Sequence, residues 1–178
     1  MKRLPPTHVF ESKRLSCRRW EPSDFSDIFA LYAHPEAMRF VDDGLPIERD
    51  LCRKWLQKTA ENYERHGYGM FLLTHREQPC EFVGCIGLVH PGGQAQAELK
   101  YALDPRYWGH GFASEAVEAM LVAAGSLFNL GELMATVHPD NHASQRVLEK
   151  SGFIEVQTRL NPDGTETLVY ERTLGCHH

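Results

Sequence analysis

The chain has 178 residues, of which 42% are hydrophobic and 24% charged, the proportions of an ordinary soluble globular protein. A net charge of −5 excludes a general affinity for nucleic acid or for an anionic membrane surface. The first six residues lack the apolar segment of a secretory signal, and the longest apolar-rich run, residues 116–130, is too short to span a bilayer.

Strand and helix signals alternate through the first part of the chain. They predict, in order, a strand (14–20), two helices (22–32 and 47–65) and three strands (69–75, 81–90 and 96–103). In the second helix, Leu51, Trp55 and Leu56 lie on one helical stripe, and Gly67 ends it. The turn at residues 76–79 predicts a hairpin between the strands on either side of it.

The second part of the chain continues the alternation. It predicts a helix (112–128), a strand (133–137), a helix (141–150) and two strands (153–160 and 166–174) hinged at residues 161–164. In the first of these helices, Ala116, Met120, Ala124 and Leu127 follow a period of 3.6 residues and are predicted to be buried. No linker or repeat interrupts the pattern, so residues 1–178 are expected to form a single α/β domain.

The five cysteines are odd in number, scattered and without a Cys-x-x-Cys pair. This usage predicts reduced thiols in a cytoplasmic protein rather than a disulfide framework. A metal site at His138 and His142 is disfavoured, because Pro139 makes His138 the end of a strand and the two histidines then share no helical face. We therefore expect no metal. The terminal Cys176-His-His supports no functional assignment.

Residues 101–116 carry the strongest functional signal, because a strand there runs through a glycine-rich turn directly into a helix. The first turn of a helix presents free backbone N–H groups, which bind phosphate oxygens. Gly109 and Gly111 allow the backbone to approach an anion closely. The sequence therefore predicts a site for a phosphorylated ligand.

Three kinds of phosphate-binding loop are compatible in outline with this turn. A P-loop needs Gly-Lys-Ser/Thr, and no lysine lies between Lys100 and Lys150. A dinucleotide fingerprint needs a third glycine or alanine where Ser114 stands, and it lies near the start of a βαβ unit rather than about 100 residues into the chain. Both are disfavoured, although Glu132 lies near the position of the acidic residue that binds ribose.

The third pattern resembles the acetyl-CoA loop of the GNAT acetyltransferase superfamily, Gln/Arg-x-x-Gly-x-Gly/Ala after a strand that ends in an apolar residue, Asp and Pro. Residues 103–105 supply the strand end, and Gly111 and Ala113 supply the fixed positions. Trp108 departs from the pattern, since Gln or Arg is usual there. The run Tyr-Trp-Gly-x-Gly-Phe-Ala is similar to the branch that contains the ribosomal-protein N-terminal acetyltransferases.

A second block, residues 141–153, resembles the Asn-x-x-Ser…Glu-Lys-x-Gly-Phe segment of the same branch and follows the loop at the spacing of that family. Residues 14–25 resemble its opening strand and helix. The resemblance thus covers roughly residues 10–172. It implies an α/β (α+β) GNAT fold, with a mixed central sheet of about seven strands splayed at the cofactor site and about four helices.

The resemblance also implies which residues bind acetyl-CoA. Backbone N–H groups of the loop are expected to hold the diphosphate; they belong to Trp108, Gly109, His110, Gly111, Phe112 and Ala113. A bulge near Ala102 is expected to free the backbone groups of Leu103 for the pantetheine arm, which Asn141 also contacts unless it only caps its helix. Glu115 is expected to point outward.

Two side chains are candidates for catalysis. Glu98 stands where GNAT enzymes often carry a glutamate base; alternatively, Glu98 and Lys100 form an exposed pair on one strand face while Leu99 and Tyr101 face the core. Ser144 matches the residue near the CoA sulfur in this branch, or else it is a solvent-facing serine. Where many GNAT enzymes carry a tyrosine acid, this chain has Leu148.

The implied function is an acetyl-CoA-dependent N-acetyltransferase in which a primary amine attacks the thioester directly in a ternary complex. Peptide N-termini, aminoglycoside-like amines, polyamines and small metabolite amines remain open as acceptors, and the protein is expected to be a monomer or homodimer. Candidate walls of the acceptor groove, each of which could equally be core, are Phe40, Trp55, Tyr63, Tyr68 and Phe71. A non-catalytic acyl-CoA-binding module or sensor is the alternative, ahead of a nucleotide-binding enzyme.

Overall fold

A computed structural model describes residues 7–175, which form one eight-stranded sheet with α-helices on its faces. The strands are β1 (His8–Glu11), β2 (Leu15–Arg19), β3 (Met70–His75), β4 (Gln78–Val89), β5 (Glu98–Leu103), β6 (Glu132–Val137), β7 (Ile154–Leu160) and β8 (Glu166–Thr173). The α-helices are α1 (Phe25–Tyr32), α2 (Pro35–Met38), α3 (Arg49–His66), α4 (Phe112–Ser126) and α5 (His142–Lys150). The predictions made for residues 1–6 and 176–178 lie outside the described residues.

The sheet runs β1-β2-β3-β4-β5-β6-β8-β7, and its neighbouring strands are antiparallel except for β5 and β6. These two are parallel and share one register pair, Glu98 with Met134, beyond which they separate. The splayed mixed sheet is thereby confirmed. The bulge expected near Ala102 is wrong, because β5 pairs with β4 without a register shift from Glu98 to Leu103.

The separation of β5 from β6 leaves backbone groups facing an open gap. Asp104 donates its N–H to Val83 of β4, 2.9 Å away, and Met134 of β6 donates to Ala97, 3.0 Å away. Since successive peptide groups point to opposite edges of a strand, Tyr101 and Leu103 direct their N–H and C=O groups toward β6 and into the gap. Straight strands that diverge therefore expose these groups without a bulge.

Two apolar layers cover the faces of the sheet. Helix α4 packs on one face, where Met120, Ala124 and Leu133 are fully or almost fully buried. Helices α1 and α3 cover the other face around Ile28 and Cys52. Burial of Leu127 was predicted wrongly: the α4 helix ends at Ser126, and the Leu127 side chain is exposed.

Two short elements escaped the sequence patterns, and one predicted helix begins later than expected. Strand β1 has four residues and α2 has four, lengths at which periodicity carries little signal. A 3₁₀ turn, Pro22–Asp24, precedes α1.

The cysteines of the described part, Cys17, Cys52, Cys80 and Cys85, are free thiols. Within residues 7–175, no helix has both the length and the apolarity needed to cross a membrane.

Candidate active site

The turn between β5 and α4 presents a row of free backbone N–H groups. Gly109 and Gly111 have φ of +74° and +79°, and Gly111 is the N-cap of α4. Among the described residues, no acceptor bonds the N–H groups from Gly109 to Ser114, and the first intrahelical bond of α4 is donated by Glu115 to Gly111. These groups can satisfy the oxygens of an anion, so the residues present fit a diphosphate.

Glu115 points inward, contrary to the expectation from sequence. Its carboxylate accepts hydrogen bonds from the Ser12 hydroxyl and the Arg14 backbone N–H, both at 2.6 Å, and from Arg14 Nε at 2.7 Å. Burial alone would raise the pKa of Glu115, but the bonds from Ser12 and Arg14 outweigh it and hold the pKa below its ordinary value. The acid beside the loop is thus neutralised by a partner 101 residues away in sequence.

Trp108 makes a contact that its place in the loop motif did not predict. The indole Nε1 donates to the Leu103 carbonyl at 2.9 Å, and the side chain remains 46% exposed. One of the two Leu103 backbone groups that face the gap is therefore engaged by the protein itself. The Leu103 N–H has no acceptor among the described residues.

Ser144 lies in the first turn of α5 and shares a hydrogen bond of 2.7 Å with the Tyr101 hydroxyl. Asn141 caps this helix by accepting from the Ser144 N–H at 3.2 Å, so its predicted capping role is present. Burial raises the pKa of Tyr101 to about 12, and the bond with Ser144 opposes this in part. Tyr101 was predicted only as a core residue. Leu148, by contrast, is almost fully buried and offers no hydroxyl to act as an acid.

Glu98 is buried, with 3% of its surface exposed, and its carboxylate is fully partnered. Oε1 contacts Lys100 Nζ and the Thr136 hydroxyl, while Gln94 Nε2 lies 3.5 Å from Oε2. Lys100 also donates to the Thr136 hydroxyl at 2.9 Å. The alternative of a pair between Glu98 and Lys100 is present, but the pair is exposed only at Lys100, because Glu98 is buried.

Two clefts adjoin the diverging strands. The first, here the loop cleft, has a volume of about 600 Å³ and is lined by the predicted cofactor residues other than His110: Leu103, Trp108, Gly109, Gly111, Phe112, Ala113, Asn141 and Ser144. The second, the strand cleft, has about 640 Å³ and is lined by Lys100, Thr136 and Trp55, among others. Tyr101 and Ser144 line both clefts, which therefore meet at this hydroxyl pair.

The predicted acceptor walls divide between cleft and core. Trp55 lines the strand cleft, and Phe40 lines both clefts. Phe71 and Tyr68 are buried in the core, and Tyr63 stacks on Phe71 and donates its hydroxyl to the Met70 carbonyl. Lys100 and Thr136 were not predicted as lining residues, because alternation along a strand does not reveal which face borders a cleft.

Comparison with known proteins decides the family. The model of the acetyltransferase (GNAT) domain matches residues 14–154, which include the loop, the Tyr101–Ser144 pair and Glu98. The chain belongs to the GNAT family. This GNAT acetyltransferase is 31% identical over 149 residues to the uncharacterised N-acetyltransferase YoaA of Bacillus subtilis, covering 82% of each chain.

Solved GNAT structures share its fold. An acetyltransferase from Agrobacterium tumefaciens is 26% identical and superposes with a TM-score of 0.77 over 92% of each chain. A ribosomal α-N-protein acetyltransferase, RimL, solved in complex with coenzyme A, is 20% identical with a TM-score of 0.78, covering 94% of this chain and 98% of that one. These structures confirm the predicted GNAT fold, and the family match and the relative YoaA confirm the predicted acetyltransferase.

Proposed function

We propose that this GNAT enzyme transfers the acetyl group of acetyl-CoA to a primary amine by direct attack within a ternary complex. The observation that carries this proposal is the junction of the loop cleft and the strand cleft at Tyr101 and Ser144. Direct transfer requires both substrates to reach one point from different sides, and two clefts that share one pair of hydroxyl groups provide that point.

The loop cleft is the side for acetyl-CoA. Free N–H groups from Gly109 to Ser114 suit the diphosphate, and the Leu103 N–H in the gap suits a pantetheine amide. The solved RimL enzyme of the same fold is in complex with coenzyme A, which supports coenzyme A as the ligand. The thioester would then lie near Ser144, where the two clefts join.

At that point the amine nitrogen forms a bond to the carbonyl carbon, the C–S bond breaks, and the sulfur leaves with the electron pair. The proton that the nitrogen loses as it becomes an amide passes through solvent to the thiolate, so that the free thiol is released. The pKa of about 12 keeps the Tyr101 phenol protonated, so that it can donate to Ser144 Oγ. The Ser144 hydrogen is then free to point at the sulfur. Ser144 stabilises the developing charge there, because a serine hydroxyl is too weak an acid to give up its proton outright.

The strand cleft is the side for the amine, which must lose a proton before it attacks. At pH 7, an α-amino group of pKa about 7.7–8 needs about 1–1.4 kcal/mol to be neutral, and a lysine-like amine of pKa about 10.4 needs about 4.6 kcal/mol. The Lys100 ammonium lines this cleft and disfavours a second positive charge beside it. Thr136 bridges Lys100 and Glu98 and is placed to relay the proton toward the carboxylate.

The acceptor class that we propose is a protein N-terminal α-amine. Its lower cost of deprotonation suits a base that is buried and separated from the cleft by Lys100 and Thr136. The structural likeness to RimL, an α-N-protein acetyltransferase, supports the same class. Phe40 and Trp55 offer apolar walls to the first side chains of such a peptide.

Glu98→Gln tests the proton acceptor. We expect turnover to fall near pH 7 and to recover as the pH rises, because free amine then becomes abundant without a base. For an acceptor of pKa about 8 the recovery should be largely complete by about pH 9, whereas for one near 10.4 it should still be increasing there. Turnover is measured as thiol release between about pH 6.5 and 9.5.

Asp24→Asn is the matched control, because Asp24 is also a buried carboxylate with a cationic partner, Arg18. Asp24 and Arg18 line neither cleft. The variant should remove a buried charge without changing the pH profile of turnover. A pH-independent defect in Glu98→Gln would instead assign Glu98 to a contact with the acceptor. Turnover that is unchanged or higher near pH 7 would contradict the base hypothesis altogether.

The function itself is tested by calorimetric titration with acetyl-CoA, desulfo-CoA and NADH, followed by thiol-release assays over a panel of amines. The panel contains peptides with free N-termini, the same peptides blocked at the N-terminus, polyamines, aminoglycosides and small metabolite amines. We expect micromolar acetyl-CoA binding and turnover with the unblocked peptides. Binding without turnover on any amine would favour an acyl-CoA-binding module, and binding of NADH alone would overturn the loop assignment.

A further inference from the structure

The side chain of Arg14 lies against the back of the glycine loop, although it precedes β2 at the other end of the sequence. Its guanidinium spans two partners: Nε lies 2.7 Å from Glu115 Oε2, and Nη1 donates to the His110 carbonyl at 2.9 Å. The same group stacks on the Phe112 ring, with its central carbon 3.9 Å from the ring centroid. Three contacts thus fix the guanidinium to the loop and to the first turn of α4.

We propose that Arg14 is a positioning residue for the diphosphate of coenzyme A, which acts by holding the His110–Gly111 peptide in one orientation. The inference rests on the proposed use of coenzyme A. A trans peptide is planar, with its C=O and N–H pointing in opposite directions. When Arg14 holds the His110 carbonyl at the back of the loop, the Gly111 N–H must point to the front, toward the loop cleft.

The orientation of the His110–Gly111 peptide needs to be held because Gly111 is in the left-handed αL conformation. Glycine populates many backbone conformations, so the loop alone does not keep its N–H groups converged on one point. A peptide flip at His110–Gly111 would place a carbonyl oxygen where a phosphate oxygen is expected, which exchanges attraction for repulsion. The hydrogen bond from Arg14 opposes that flip.

The positive charge of Arg14 also favours the diphosphate, in addition to orienting the peptide. Arg14 Nη2 lies 3.5 Å from the position that a Cβ on Gly111 would occupy, so the positive charge is adjacent to the N-cap of α4. Glu115 anchors the guanidinium by its Nε and leaves both terminal nitrogens turned toward the loop. Without Arg14, the Glu115 carboxylate would stand beside the diphosphate unneutralised.

Arg14→Met and Arg14→Lys test the proposal. Methionine keeps an apolar stem over Phe112 and loses the guanidinium, while lysine keeps the charge and cannot bond Glu115 and His110 together in the fork geometry. We expect the Kd for coenzyme A to rise about tenfold in Arg14→Met and at least about threefold in Arg14→Lys. Turnover with acetyl-pantetheine, which lacks the diphosphate, should stay within about twofold of the wild type, since Arg14 serves only the diphosphate.

Arg18→Met is the control, because Arg18 forms a comparable ion pair with Asp24 on the same strand region and contacts no part of the loop. It should lower the unfolding temperature without changing the Kd for coenzyme A. Should Arg14→Met fail to fold, Arg14→Lys decides, since that variant keeps the positive charge but loses the fork geometry and is expected to weaken coenzyme A in the same sense.

The outcomes are distinct. Loss of coenzyme A affinity with retained acetyl-pantetheine turnover supports the proposal. Equal losses with both substrates would make Arg14 a general structural residue and overturn it, as would wild-type affinity in Arg14→Met. Failure of the wild-type chain itself to bind coenzyme A would overturn the proposed function together with this inference.

Discussion

Replacing Gly111 by valine is expected to abolish measurable binding of acetyl-CoA, a rise in Kd of more than about a hundredfold. Gly111 has φ of +79°, a conformation that a β-branched residue rarely adopts. A Cβ there would meet only Arg14 Nη2, at 3.5 Å, so the obstacle is the backbone conformation rather than lack of space. Valine would move the loop out of this conformation and scatter the N–H groups that face the anion.

Isothermal titration calorimetry with acetyl-CoA measures the effect, and Gly164→Val provides the control. Gly164 has φ of +84° with nothing within 4 Å of the position that a Cβ would occupy, and it lies in the β7–β8 turn away from the loop. The Gly164→Val variant should lose stability in the same way and should retain its affinity for acetyl-CoA. Tight binding of acetyl-CoA by a folded Gly111→Val variant would show that the loop does not hold the diphosphate.

Removal of the Ser144 hydroxyl is expected to lower turnover by about tenfold to a hundredfold, because one hydrogen bond to the developing charge on sulfur is lost. Acetyl-CoA affinity should change little, since the bond strengthens only as charge builds. Single-turnover rates with saturating acetyl-CoA and a good acceptor measure this effect for Ser144→Ala. Wild-type turnover would reduce Ser144 to a residue of the helix surface.

Two further variants locate the effect. Tyr101→Phe removes the partner that orients Ser144 and should lower turnover as well, but adding it to Ser144→Ala should cost little more, because the two hydroxyl groups act as one unit. Ser151→Ala, at the end of the same helix, removes a buried hydroxyl that has no partner among the described residues. Its turnover should equal that of the wild type.

The sequence predicted those parts of the site that are encoded locally. The glycine-rich turn at Gly109 and Gly111, which precedes α4 directly, and the cap at Asn141 each follow from residues within one turn. The inward position of Glu115 could not be predicted in this way. It depends on Ser12 and Arg14, which the fold brings from about 100 residues away when β1 and β2 pack beside α4.

Glu98 shows a second limit. Alternation along β5 placed Glu98 and Lys100 on the face opposite to Leu99, and an alternating strand usually exposes its polar face. Here Glu98 is buried beneath its own polar neighbours, because Lys100, Thr136 and Gln94 lie over its carboxylate. Alternation also placed Tyr101 on the core face with Leu99. Its ring does pack against the core, but its hydroxyl reaches Ser144.

The indole of Trp108 occupies a backbone carbonyl, that of Leu103, which faces the gap where the pantetheine arm is expected. If the pantetheine arm replaces Trp108 Nε1 at the Leu103 carbonyl, loss of the 2.9 Å bond makes the measured affinity lower than the contacts alone would give. The half-exposed ring then moves to a different solvent environment. Its emission spectrum should therefore report the arrival of coenzyme A directly, and Trp108→Phe should silence that optical signal while allowing the ligand to bind more tightly.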